Sequence, residues 1–171
     1  STRMIVGADG DVGIGTTSPA AKLTISASNS GGANNNTLRF VDTDVTTQAN
    51  QSFGKIEFET KDTNNAGVNA FINAFAEGTG GTGALSFGTG SGGSSERMRL
   101  DSSGNLLVAK TSANNSTVGV ELKTDGSLNP TVDGDTVARF NRLTSDGEII
   151  RLQKDTTTVG VIGTQNWGIY P

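Results

Sequence analysis

Apolar and polar residues alternate with a period of two along several stretches of this chain, and nowhere with a sustained period near 3.6. Ile56 and Phe58 alternate with Glu57 and Glu59. Val68, Ala70, Ile72 and Ala74 alternate with Asn69, Phe71, Asn73 and Phe75. Leu38 with Phe40, and Leu85 with Phe87, follow the same rule. Successive side chains of a strand point to opposite faces, so this pattern predicts strands at each of these places. The polar stretches Asp62–Gly67 and Glu77–Gly83 predict the turns between the second, third and fourth of them. Toward the C-terminus, Val137–Phe140, Ile149–Leu152 and Val159–Ile162 predict further strands. Only Pro19-Ala20-Ala21-Lys22 hints at a helical turn. The predicted class is all-β.

A short unit recurs through this pattern: an apolar residue, three residues, Gly, one polar residue, an apolar residue. It appears as Val6…Gly10…Val12, Leu100…Gly104…Leu106, Leu122…Gly126…Leu128 and Leu143…Gly147…Ile149. A worn copy, Leu152-Gln153-Lys154-Asp155-Thr156, has Thr in the place of Gly. The first two units sit in longer copies, Arg3–Ser18 and Arg97–Ser112, which start 94 positions apart. Asp or Ser before Gly tolerates the positive φ of a tight turn, and the flanking apolar residues return to one face of a two-stranded ribbon. Each unit therefore predicts a β-hairpin. A lone hairpin is marginal in water, so a series of them needs burial against neighbouring modules or other copies of the chain.

These features divide the chain into five stretches. Residues 1–25 are a first hairpin repeat, and 26–36 (SASNSGGANNN) a Gly/Asn-rich linker. Residues 37–94 form a small antiparallel β module with six of the seven Phe. Residues 95–128 are a second repeat and 129–171 a C-terminal hairpin segment. Leu, Ile, Val and Phe account for 38 of the 171 residues, just above the roughly 20% below which chains tend to stay disordered. Gly, Thr, Ser and Asn account for 78. One copy thus carries little apolar material for a core. Three identical chains that place their apolar strand faces on a common axis would build the core that one cannot, and would protect strand edges as well.

Composition also limits the chemistry. Without Cys or His the chain has no disulfides, no thiolate or imidazole metal ligands, no Cys nucleophile and no His base. The net charge is −4, and Lys and Arg are scattered singly, with Arg97-Met98-Arg99 the nearest thing to a cluster. No basic patch is set up to displace counterions from phosphates, so no nucleic-acid partner is expected. No apolar run approaches the ~20 residues of a membrane span, and no membrane insertion is expected. Ser1-Thr2-Arg3-Met4 carries no signal-peptide pattern, and the chain is expected to be a piece of a longer protein.

Several motifs look chemical and have plainer explanations. Gly78–Gly83 and Gly88–Gly93 match the dinucleotide spacing G-x-G-x-x-G, but each leads into loop or strand and not into the helix that meets a pyrophosphate. Gly10–Thr17 nearly fits a P-loop, with Thr16 where Lys is required. Gly80–Phe87 resembles a calcium-binding nonapeptide, with Leu85 in place of its Asp. The pairs Asp9/Asp11, Asp42/Asp44 and Asp133/Asp135 fall on loops, where Ca²⁺ would need six to eight oxygens; Asp-Gly turns explain two of them. No metal site and no cofactor are expected. A glycosidase would need two carboxyls in one cleft, whereas Glu57 and Glu59 share the polar face of one strand. No enzyme is expected and no catalytic residue is assigned. Trp167 and Tyr170, the only Trp and Tyr, are the candidate ligand-binding residues, because exposed aromatic faces stack on sugars or mediate contact. End-capping of an assembly is the plainer role. Arg139 and Arg142 flank Phe140 and would suit acidic sugars, although alternation places them on a solvated strand face.

Three stretches carry a family resemblance. Glu96–Asn105 (ERMRLDSSGN) and Gly10–Ile25 (GDVGIGTTSPAAKLTI) resemble the fibre repeats of bacteriophage tail fibres, of the kind common in marine and cyanobacterial phages. Arg142–Thr164 (RLTSDGEIIRLQKDTTTVGVIGT) resembles the segment found upstream of the self-cleaving C-terminal chaperone domain of such fibres. Three departures stand out: Asn105-Leu106-Leu107-Val108-Ala109-Lys110 replaces the Gly-rich pattern Val12-Gly13-Ile14-Gly15, Thr156 replaces an expected Gly, and no chaperone domain lies before Pro171. The resemblance implies an elongated homotrimeric β fibre at the virion surface, a component of the tail that serves host attachment. Its triple β-helix, β-prism or intertwined-sandwich form stays open. Its partners would be two identical chains, other tail proteins and a host-surface glycan or protein receptor. A tailspike hydrolase acting on polysaccharide and a non-viral fibrous adhesin are the alternatives.

Overall fold

The computed structural model describes residues 4–28, 31, 36–91, 93–165 and 168–170. Among them there is no helix, and the fold is all-β, with several antiparallel sheets. The chain divides into two compact units, Ser1–Asp44 and Val45–Pro171.

In the first unit β1 (Met4–Val6) and β2 (Val12–Ile14) form a hairpin, and β3 (Leu23–Ile25) lies parallel to β2. So short a parallel connection needs the chain to turn back at once after β2. Gly15 makes this possible at φ +77; a Cβ there would stand 2.0 Å from the Ser26 carbonyl oxygen. The predicted helical turn at Pro19–Lys22 does not form. Thr24 Oγ1 accepts from the amides of Ala20 and Ala21 at 3.1 and 3.3 Å and holds this stretch in a bend.

In the second unit seven strands follow one another as an antiparallel meander. They are β4 (Ser52–Thr60), β5 (Gly67–Ala76), β6 (Gly83–Thr89), β7 (Ser95–Leu100), β8 (Leu106–Val108), β9 (Gly119–Leu122) and β10 (Leu128–Thr131). The last carries Pro130, which the ladder tolerates because β10 is an edge strand. A separate antiparallel sheet holds β11 (Gly147–Lys154), β12 (Thr157–Gln165) and β13 (Gly168–Tyr170).

The predicted strands at 56–58, 68–75, 85–87, 149–152 and 159–162 are present, with the turns at 62–67 and 77–83 between their neighbours. Leu38–Phe40 and Val137–Phe140 are not strands: neither stretch has a ladder partner, and Leu38, Phe40, Val137 and Phe140 are all exposed. Alternation of two or three residues marks a face, but without a neighbouring strand it leaves the backbone unpaired.

Three of the recurring units close in the same way. Gly7, Asp101 and Lys123 each donate their amide to the residue four positions on (Asp11, Asn105, Ser127) at 2.8–2.9 Å. Gly10, Gly104 and Gly126 each donate back to the first residue at 2.9–3.0 Å, with φ of +77, +84 and +85. This is the three-residue hairpin loop whose last position favours glycine. The unit at Leu143–Ile149 is not a hairpin. There the Arg142 guanidinium binds the Ser145 and Glu148 carbonyls at 2.8 and 3.3 Å and holds a bend in front of β11. The worn copy does turn: Lys154 pairs with Thr157, and Asp155 and Thr156 take φ of +48 and +65, a two-residue loop built without glycine.

The same left-handed backbone therefore recurs with and without glycine, which sets up a direct comparison. Gly15 aligns with Ala109, which has φ +60. Replacing Gly15 by Ala should destabilise the first unit by about 2 kcal/mol or more, because strain and a backbone clash add. Ala109→Gly and Thr156→Gly should each stabilise by about 1 kcal/mol by relieving a left-handed non-glycine residue. Chemical denaturation of each variant measures these signs.

Candidate self-association surface

Register places two unbroken lines of apolar residues on one face of the seven-stranded sheet. Ile56, Ile72, Phe87, Met98, Val108, Val120 and Pro130 stand directly opposite one another from strand to strand. Two residues away, and hence on the same face, Gly54, Ala74, Leu85, Leu100, Leu106, Leu122 and Leu128 form the second line. None of the fourteen is polar. The described residues cover them only in part: Ile56, Leu100, Val108, Leu122 and Leu128 are 42, 43, 40, 45 and 57% exposed, and the other nine are half-buried. The small sheet of the first unit repeats the pattern. Val6, Val12 and Leu23 make one line and Met4, Ile14 and Ile25 the other, with Met4 and Val6 more than 60% exposed.

The opposite face is the one the chain buries, and it mixes polar side chains with the buried Phe75, Ala84 and Leu107. Its central line runs Lys55, Asn73, Ser86, Arg99, Leu107, Glu121, Asn129. Leu107 and Glu121 are 0% exposed, and Ser86 and Arg99 are buried. A bulge opposite Phe87 and Gly88 lets Glu96, not Arg97, pair with Gly88. Glu96 thereby joins Arg99 on the polar face, and no charge falls on the apolar one. Arg99 grips Glu96 with two bonds, 2.5 and 2.8 Å, donates to Glu77 at 3.2 Å and to the Thr111 carbonyl at 3.1 Å, and lies 4.9 Å from the centre of the Phe75 ring. The β8–β9 connection folds over this face. Lys110 Nζ donates to Glu121 Oε1 at 2.6 Å, and the Asn114 amide donates to the same oxygen. The second oxygen of Glu121 has no hydrogen bond, only Lys123 Nζ at 3.7 Å.

Further bonds stitch successive loops at one end of the strands. Glu77 Oε2 accepts from the Ser102 amide at 2.8 Å, and Asn105 Oδ1 accepts from the Thr124 amide at 3.3 Å. The sheet is thus tied together on its polar side by side chains that reach from one strand or loop to the next, while the apolar side contributes little to the single chain.

The candidate residues read from the sequence do not come together. Trp167 lies outside the described residues, and Tyr170 is placed by its backbone in β13, opposite Gly163. Asp11 is bound to Lys22 at 2.5 Å, Asp42 caps the amide of Asp44 at 3.0 Å and Asp135 the amide of Thr136 at 2.6 Å. Glu57 and Glu59 pair with Lys55 and Lys61. Arg142 serves its own bend, as described above. Among the described residues no three acidic side chains converge on a metal-sized space. A hollow of about 330 Å³ is lined by Glu96, Arg97, Ala109, Lys110, Thr111 and Thr117, but Glu96 and Lys110 already hold Arg99 and Glu121. No helix among the described residues is long and apolar enough to cross a membrane. No family model and no curated protein matches the chain.

The buried charges make stability depend on pH. The bond from Lys110 holds the Glu121 carboxyl below its ordinary value, against the upward pull of burial and with help from the Asn114 amide. Burial raises Glu77, yet its bonds from Ser102 and Arg99 outweigh that and leave it lowered as well. The Ser127 hydroxyl does the same for Asp125. A carboxyl depressed by folding stabilises fully above its unfolded value and loses that contribution as pH falls through the folded one. The melting temperature should therefore drop as pH is lowered below the ordinary Glu value of 4.5. Glu121→Gln should flatten part of this slope and lower the melting temperature at pH 7, because Lys110 stays buried without its counter-charge. Melting curves from pH 3 to 7 on both proteins test this; an unaltered slope in the variant would contradict it.

Proposed function

We propose that this chain is a structural and adhesive component of a bacteriophage tail fibre, assembled from three identical chains, located on the virion, and presenting a surface for a host glycan or protein receptor. The observation that carries this is the uncovered apolar face of the seven-stranded sheet. A monomer in water has no use for two apolar lines on which Ile56, Leu100, Val108, Leu122 and Leu128 are exposed and the rest half-buried, beside a buried Arg99 and Glu121, whereas chains that share these faces gain a common core. The likeness of Gly10–Ile25, Glu96–Asn105 and Arg142–Thr164 to fibre repeats points the same way. Attachment would then be non-covalent, and weak sites repeated around the fibre would gain strength through effective concentration. No catalytic step is part of this function.

Light scattering on the purified chain at micromolar concentration should give three times 17.5 kDa. A stable folded monomer would contradict the proposal. Incubation with host polysaccharide should leave the sugar intact; release of oligosaccharides would favour a tailspike hydrolase instead.

A further inference from the structure

We infer that the seven-stranded sheet is one wall of a three-sided column, with its two apolar lines running along the shared axis, its strands lying across that axis, and its polar face with the β8–β9 connection turned outward. This rests on the proposed homotrimer and assigns the surface that makes it.

Three observations lead here. The first is exposure. Ile56, Leu100, Val108, Leu122 and Leu128 keep 42, 43, 40, 45 and 57% of their surface open along one face, and a contiguous apolar stripe left open in this way marks a contact surface. The second is chemistry. None of the fourteen positions is charged or polar, so the face offers no handle to an ionic or hydrogen-bonding partner and is complementary to another copy of itself.

The third is shape. The apolar stripe is two side chains wide, about 7 Å between lines, and seven strands long, about 29 Å. Two such stripes laid face to face would leave both long sides of a thin sandwich open to water, and every side chain borders one of those sides. Three stripes around an axis shield one another's long sides. Adjacent strands rotate by about 20–25°, so the stripe winds by roughly a third of a turn or more over its length. Three ribbons of equal twist can follow such a path together, each layer holding the same residue three times.

The middle of the stripe is the place to test. Leu106→Glu and Val108→Glu each put three carboxylates into one layer, and should reduce the trimer mass to that of one chain. Asn129→Lys, on the opposite face of β10 and across from Glu121, should leave the trimer intact. A gentler pair guards against a variant that fails to fold. Since the chain has no Cys, Val108→Cys and Ser103→Cys each place a single thiol, the first on the stripe and the second in an exposed loop. A maleimide should label position 108 about tenfold or more slower than position 103, because the stripe opens only when the assembly does. A monomeric wild-type chain would overturn the homotrimer and this inference together. A trimeric wild type that tolerates Leu106→Glu, with both thiols labelled at equal rates, would overturn the assignment of the face and leave the homotrimer standing. A dimer with a protected thiol at 108 would overturn the three-sided arrangement.

Discussion

A β-sheet one layer thick has two faces and can hide only the one its own loops reach. In this chain the loops reach the wrong side by the usual rule. The connection 109–118 folds over the face that carries Arg99, Glu121 and Lys110 and leaves the lines through Leu106 and Val108 to the solvent. Everything else follows from that choice. Charges brought under cover need partners at hydrogen-bond distance, since a buried charge left alone is far costlier than one paired. Arg99 accordingly has two carboxylates and a carbonyl, and Glu121 a lysine and an amide. The apolar face is left partly open by the described residues around it.

The local geometry serves the same end. Hairpin loops of one kind at Gly10, Gly104 and Gly126 set the register of their strands, and register decides which side chains share a face. A slip of one residue between β8 and β9 would carry Glu121 onto the apolar side. The bulge beside Gly88 does the converse at β7 and draws Glu96 over to Arg99. Turn and bulge together keep fourteen consecutive sites free of charge.

Much of the fold is legible in the sequence because its signals are local. Gly at the fifth position of the recurring unit, flanked by apolar residues, marks three hairpins, and alternation at 56–58, 68–75 and 85–87 marks the long strands. The signals fail where a contact across sequence decides the outcome. Leu143…Gly147…Ile149 has the spacing of a hairpin, but Arg142 is drawn onto Ser145 and Glu148 and makes a bend. Leu38–Phe40 and Val137–Phe140 alternate but have no strand beside them.

The charged cluster was the least readable part. Arg99 between Met98 and Leu100, and Glu121 between Val120 and Leu122, have the pattern of residues pointing to solvent, and only the fold of the distant loop buries them. One clue is present in the sequence: Leu106-Leu107-Val108 breaks alternation, and Leu107 is the buried residue that stands between Arg99 and Glu121. An apolar residue on an otherwise polar line marks a face that is covered.

The central claim is that the apolar face of one chain is closed by the same face of two others. Averaged images of single particles viewed end-on test it most directly. The account predicts three-fold symmetry, with sheet walls surrounding a filled centre. Particles of a single chain, with one face of the sheet bare to solvent, would contradict it.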